Sequence, residues 1–163
     1  MAGFDINDVK GNDRIIILGG LVVFIASFFP WYGASASGAI HFSASVKGWS
    51  AGGSAVLGIL LCLAAAAFVL LRATGQLKDL SLPVGPALIV LALAGLAVLL
   101  FLIRWLSLPS GSGLGFSYGP RIGLFLGLAG AIVQAVFAAL TFSSSGETLP
   151  GRPEATPPPQ AAP

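Results

Sequence analysis

The chain has 163 residues, of which 56% are hydrophobic and only 9% are Asp, Glu, Lys or Arg, against roughly 25% charged residues in an average soluble domain. That excludes an ordinary water-soluble globule, and a net charge of +2, spread over loop ends, offers nothing to nucleic acid. The apolar residues are clustered: from Ile15 to Leu71 the only charged residue is Lys47, and between Asp79 and Glu147 the only ones are Arg104 and Arg121.

Four runs have the length and hydropathy of membrane spans, about 14–32, 54–72, 84–104 and 121–142, since ~20 apolar residues at 1.5 Å each cross a hydrocarbon core of ~30 Å. Asn12 or Asp13 suits the N-cap of the first. A cleaved signal peptide is the competing reading of that run, with Ala34-Ser35-Ala36 as a small-residue cleavage site. The leading segment speaks against it, because three Asp against one Lys and one Arg do not make a basic n-region.

After the first run, Ile40, Phe42, Ala44 and Val46 alternate with His41, Ser43, Ser45 and Lys47, the period-two pattern of a strand with one face covered. Ala34 to Ser37 followed by Gly38-Ala39 suits a type II′ hairpin. Later, Leu114, Phe116 and Tyr118 alternate with Gly113, Gly115 and Ser117, which predicts a third strand at the hairpin edge. Flexible Gly/Ser loops without a sheet are the competing reading. The short ATGQLKDLSLP connection stops at Pro83 and Pro86, tolerated at a helix start. The segment from 143 to 163 holds six of the eleven prolines and is expected to be a disordered tail of polyproline II character; its Pro150-to-Pro153 stretch fits PxxP, a handle for an unidentified partner.

Lys10, Arg14, Arg72, Lys78 and Arg152 fall on the side of both termini, against Lys47, Arg104 and Arg121 on the other. Excess positive charge stays cytoplasmic, so both termini are expected inside a plasma membrane. Trp31, Tyr32, Trp49, Trp105 and Tyr118, every Trp and Tyr of the chain, cluster beside the outer loops and suggest a small packed structure there.

Helices associate in lipid where small residues allow close approach. The fourth run carries Gly123, Gly127, Ala131, Ala135 and Ala139 at unbroken spacing of four, and the second carries Ser54, Gly58, Cys62 and Ala66. Both rows are expected to face the interior, the alternative being that one mates with a second protein. Gln134, the only strongly polar side chain well inside a run, should hydrogen-bond to another helix or line an internal cavity.

No Asp, Glu, Lys, Arg or His lies deep in any run, and such residues are the usual mark of proton relays, coupled ion sites and voltage sensing. The single His41 and single Cys62 supply neither a haem or histidine metal site nor a dithiol pair. The loop serines lack a base and an orienting carboxylate, and Gly111-Ser112-Gly113-Leu114-Gly115 lacks the Lys of a P-loop and reads as a turn and strand edge. No polar stripe could line a pore. No catalytic residue, cofactor or metal is expected.

Residues 28–33 (FFPWYG), the Gly48-Trp49 pair before the second run, and the Ala/Gly-rich runs with a Pro-rich tail together resemble small four-span membrane proteins of actinobacteria, mostly of unknown function. The long first outer loop with strands, the Gly-Trp pair and the shorter second loop are similar in topology to the claudin and peripheral-myelin type of bundle, from which this chain departs in lacking two loop cysteines. These resemblances imply architecture only, and no site residue is transferred. The expected fold is an all-α membrane protein, a four-transmembrane-helix antiparallel bundle with a small extracytoplasmic β-hairpin or three-stranded sheet. Residues 1–13 would be a cytoplasmic segment, 14–142 the membrane domain and 143–163 the tail. The expected function is non-enzymatic: an accessory or assembly subunit of a cell-envelope complex, contacting lipid and another membrane protein or itself. The alternative is a binder or passive conduit for a lipid or other apolar molecule near Gln134.

Overall fold

A computed structural model describes residues 11–36, 41–77, 84–108, 111–113 and 116–147. Its elements are helix α1 (Gly11–Ala26), strands β1 (Pro30–Ala36) and β2 (Phe42–Lys47), a single 3-10 turn (Gly48–Ser50), helices α2 (Gly53–Ala73) and α3 (Pro86–Ser107), strands β3 (Gly111–Gly113) and β4 (Phe116–Pro120), and helix α4 (Ile122–Ser145). Among the described residues three helices are long and apolar enough to cross a membrane, α2, α3 and α4, with 21, 22 and 24 residues, or about 32–36 Å each. Pro86 sits in the first turn of α3, where its missing N–H costs nothing.

The first predicted span is corrected. Helix is already present at Gly11, so Asn12 and Asp13 lie within α1 instead of capping it, and α1 ends at Ala26 rather than at residue 32. Its 16 described residues reach about 24 Å. Ser27, Phe28 and Phe29 tighten into turns on the carbonyls of Val23, Phe24, Ile25 and Ala26, and at Pro30 the chain becomes extended. Pro30 has no N–H to donate and disfavours helix in the residue before it, while Trp31 and Tyr32 suit a strand. Hydropathy scores those aromatics as span and cannot make the distinction.

At the other end of the chain, α4 continues through Ser143, Ser144 and Ser145, which hydropathy assigns to the tail, and stops at Gly146 with φ 70, the left-handed conformation of a helix C-cap. The carboxylate of Glu147 then accepts from the backbone N–H groups of Ala87 and Leu88 at 3.2 and 3.0 Å, satisfying two orphan donors in the first turn of α3.

Each helix packs on the next, and α4 closes a ring against α1. Helices α1 and α4 run antiparallel: residues 29–31, just past α1, meet Gly123, Val22 and Val23 meet Gly130, and Ile16 meets Gln134. One apolar cluster, including Trp31, Ile59, Phe101 and Leu124, fills the sheet end; another, including Ile16, Val69, Val90 and Ala138, fills the opposite end.

The four strands form one antiparallel sheet in the order β2-β1-β4-β3. β1 continues directly from α1, and β4 leads directly into α4, so the sheet extends the α1–α4 pair beyond the helices. The β4 strand joins the free edge of β1, as the alternation around Phe116 predicts. The Gly111–Gly113 segment, read as a turn and strand edge, pairs as β3. The Gly38-Ala39 turn, Leu114, the Pro150-to-Pro153 stretch and the rest of the tail beyond Glu147 lie outside the described residues.

Candidate functional site

β1 begins at the rim of the helix ring, and its second residue, Trp31, is fully buried there. The indole N–H donates to Ala26 O at 2.8 Å, and the ring meets Phe101 edge-on, with centroids 5.1 Å apart at 80°. Three glycines make the slot. A methyl group added to Gly123, Gly127 or Gly48 would lie only 2.6, 2.9 or 2.8 Å from indole carbons. Trp31 therefore plugs the sheet end of the ring, its indole sharing the last carbonyl of α1 with the Phe29 N–H, which lies 3.1 Å from the same oxygen.

Tyr32, next in β1, turns to the other face of the strand and is buried. Its hydroxyl donates to Arg104 O at 3.2 Å, and the Arg104 guanidinium carbon stands 5.7 Å from the ring centroid. Burial pushes the phenol above its usual pKa, with the Arg104 charge opposing the rise, so the hydroxyl is a proton donor at neutral pH. Gly52, at φ 116, allows its backbone to approach the Arg104 guanidinium.

Beyond these anchors the sheet divides by face, because directly opposed residues share a face and successive residues alternate. Tyr32 opposes Val46 and Pro120, Ala34 opposes Ala44 and Tyr118, and Ala36 opposes Phe42 and Phe116. On the other face Gly33 opposes Ser45 and Gly119, and Ser35 opposes Ser43 and Ser117, with the Ser35 and Ser117 hydroxyls 2.7 Å apart. The expectation that one face of the Ile40–Lys47 strand is covered is corrected for its described part, Ile40 lying outside the described residues: every residue of β2 is exposed, and Phe42 and Phe116 each keep 60% of their surface accessible. Alternation reports two different faces and does not report whether anything covers the apolar one.

The five aromatics of the predicted outer cluster occupy one end but separate by role. Trp31 and Tyr32 are buried anchors, whereas Trp49, Trp105 and Tyr118 are exposed. Trp105 packs its ring edge-on to Phe125 at 5.9 Å.

The small-residue rows are only partly internal. In α4, Gly123, Gly127 and Ala131 are buried, Ala135 is half-buried and Ala139 is exposed; in α2, Gly58 and Cys62 are buried, while Ser54 and Ala66 are half-buried. A step of four residues overshoots a helical turn by about 40°, so a row five members long winds away from any straight interface. The expectation that the whole α4 row faces inward is corrected on that ground. The buried glycines of the two rows also do a different job from the one expected: Gly123 and Gly127 of α4 admit an indole, and Gly58 of α2 admits the Phe101 ring. The close α1–α4 approach is made by Gly19 and Gly130 instead, where a methyl on Gly19 would come within 3.0 Å of Gly130 O. Sequence reasoning missed Gly19, Gly20 and Gly130. The mixed three- and four-residue spacing of 123, 127, 130, 134 and 138, which averages close to one helical turn, is the signal that finds the buried face of α4.

Gln134 is fully buried where α1, α2 and α4 meet. Its Nε2 donates to Ile16 O at 3.1 Å and to Cys62 O at 3.0 Å. Helical carbonyls are normally covered by the side chain four residues on, and those positions are Gly20 and Ala66, small enough to leave both oxygens open. Both amide protons are thus spent on helix backbone, while Oε1 is buried without a partner among the described residues. Gln134→Leu is expected to change stability by only about 1 kcal/mol, since two modest hydrogen bonds are lost together with one unpaired acceptor; equilibrium unfolding in detergent measures it.

Among the described residues no group of three or more His, Cys, Asp or Glu could hold a metal ion, and Cys62 is a buried free thiol. Comparison with protein-family models and with curated proteins finds no match to this chain.

Proposed function

We propose that this is a non-enzymatic integral membrane protein of the plasma membrane, an accessory or assembly subunit of a cell-envelope complex, and that its partner covers the apolar face of the sheet. The observation that carries this reading is the exposed Phe42, Val46, Phe116 and Tyr118 surface, presented by β2 and β4 on either side of β1, whose Trp31 and Tyr32 are buried at the helix ring. Exposed apolar surface on an ordered scaffold marks an interaction site. The end of the chain that carries this face is without Asp or Glu, since none occurs between Asp13 and Asp79 or between Asp79 and Glu147, and the partner surface that complements it is apolar. The buried parts of the small-residue rows are occupied within the chain, which leaves the sheet as the better docking surface. The excess of Lys and Arg toward the termini supports a cytoplasmic location for both.

A lipid conduit at Gln134 draws less support, because its amide N–H groups are already bonded to Ile16 and Cys62. Isolation in mild detergent followed by mass measurement tests the proposal. The wild type is expected in a discrete complex, and Phe42→Glu with Phe116→Glu is expected to release it. Monomer stability should change by less than about 0.5 kcal/mol, as at other exposed positions. A lone monomer that captures nothing under several gentle conditions would sink the reading, and a homodimer would redirect it to self-association.

A further inference from the structure

At the end of the helix ring opposite the sheet, α1 where its described residues begin and the ends of α2 and α4 border a half-open cavity of about 290 Å³ lined by Gly11, Asn12, Asp13, Arg72, Thr141, Ser144 and Ser145. Among the described residues, six of the seven that line it are polar, in a chain with 9% charged residues, and two of them carry opposite charge. Asp13 keeps only 7% of its surface exposed, and a buried carboxylate needs a compensating donor. Ser144 spends its proton on Thr141 O at 3.1 Å, so toward a guest its oxygen acts as an acceptor. The Thr141 hydroxyl oxygen is itself buried with no partner among the described residues.

We infer that this cavity takes the headgroup of a phosphoethanolamine lipid, its ammonium received by Asp13, Thr141 and Ser144 and its phosphate by Arg72. A primary ammonium has three donors and no acceptor, which matches a carboxylate and two hydroxyl oxygens. A guanidinium is the side chain best suited to a phosphate. The volume, equivalent to about ten waters at ~30 Å³ each, accommodates such a group. The cavity lies at the ends of the apolar helices, where headgroups lie, and exposed Leu18, Leu71 and Leu140 on the same three helices offer acyl chains a surface. The inference rests on the membrane embedding of the long helices and is independent of the sheet's partner.

The test is native mass spectrometry, with thermal shift, on the full chain in detergent titrated with phosphatidylethanolamine, phosphatidylcholine, phosphatidylglycerol or free phosphoethanolamine. Phosphatidylethanolamine is expected to bind about tenfold more tightly than phosphatidylcholine, whose nitrogen has no N–H. Asp13→Asn should erase that preference while binding persists, and Arg72→Gln should weaken both lipids. Should Asp13→Asn fail to fold, Thr141→Val with Ser144→Ala should reduce the preference severalfold. Free phosphoethanolamine binding as tightly as the lipid would overturn the lipid assignment in favour of a soluble ligand. Equal binding of the two zwitterionic lipids, tightest binding of phosphatidylglycerol, or a preference unchanged in the variants would overturn the site. Loss of sheet-end complex formation bears on none of these outcomes.

Discussion

Trp31→Ala is expected to destabilise the protein by about 3–5 kcal/mol, the range for deleting a large buried aromatic. The indole is fully buried, edge-packed on Phe101 and hydrogen-bonded to Ala26 O, and its removal opens a hole between the sheet and the helix ring. Trp31→Phe should recover part of the loss, because a smaller ring keeps the Phe101 contact but gives up the indole hydrogen bond to Ala26 O. Filling the slot from the opposite wall should be costly as well: Gly127→Leu would place its first side-chain carbon 2.9 Å from the indole. In the Trp31→Ala background, however, that leucine enters the vacated space, so the double variant should be more stable than the sum of the single losses implies. Equilibrium unfolding in mixed detergent, followed by near-ultraviolet circular dichroism, reads all four variants. A loss below about 1 kcal/mol for Trp31→Ala would show that the plug is not the anchor described.

Gly20→Leu is the second large effect, expected to cost about 2–4 kcal/mol through overpacking and lost intramembrane hydrogen bonds. A methyl at Gly20 would come within 2.7 Å of Ala66 Cβ and 3.2 Å of both Cys62 O and Gln134 Nε2. A leucine must push α1 from α2, and it also covers the Ile16 carbonyl that Gln134 uses. Gly95→Leu, at a position on α3 where an added methyl would meet nothing within 4 Å, serves as the control and should be tolerated. Gln134→Leu combined with Gly20→Leu should cost less than the two separately if the glutamine amide is what the new side chain displaces; strict additivity would count against that explanation.

The region around Pro30 shows how far the sequence is legible. The apolar run into Trp31 and Tyr32 predicts a span, and a proline at position 30 warns of a break. Whether the following aromatics continue into lipid or turn into a strand depends on Ser45, Ser117 and Gly119 arriving beside Gly33 and Ser35, and those residues belong to two distant segments. The Phe42–Lys47 and Phe116–Pro120 strands were legible because alternation is local. The exposure of their apolar face was not, since it depends on what stands opposite. Gln134 was recognisable as a residue in need of a partner. Its acceptors were not identifiable, because backbone carbonyls carry no sequence label and their openness is set by Gly20 and Ala66 on other helices.

Composition and hydropathy by themselves determined the membrane-compatible helices and the strand-forming segments, and the positions of the charges between them, because transfer from water and strand alternation are properties of residues within one window. Tertiary structure alone decided that α1 stops at Ala26, that glycines of α4 receive an indole from β1 and that the α4 row of small residues winds out of the interior. Only there did Asp13, Arg72 and the α4 hydroxyls come to share one cavity. Each of these outcomes is a contact between segments remote in the chain, and close packing in three dimensions, with its helical drift and its steric limits near 3 Å, is what selects them.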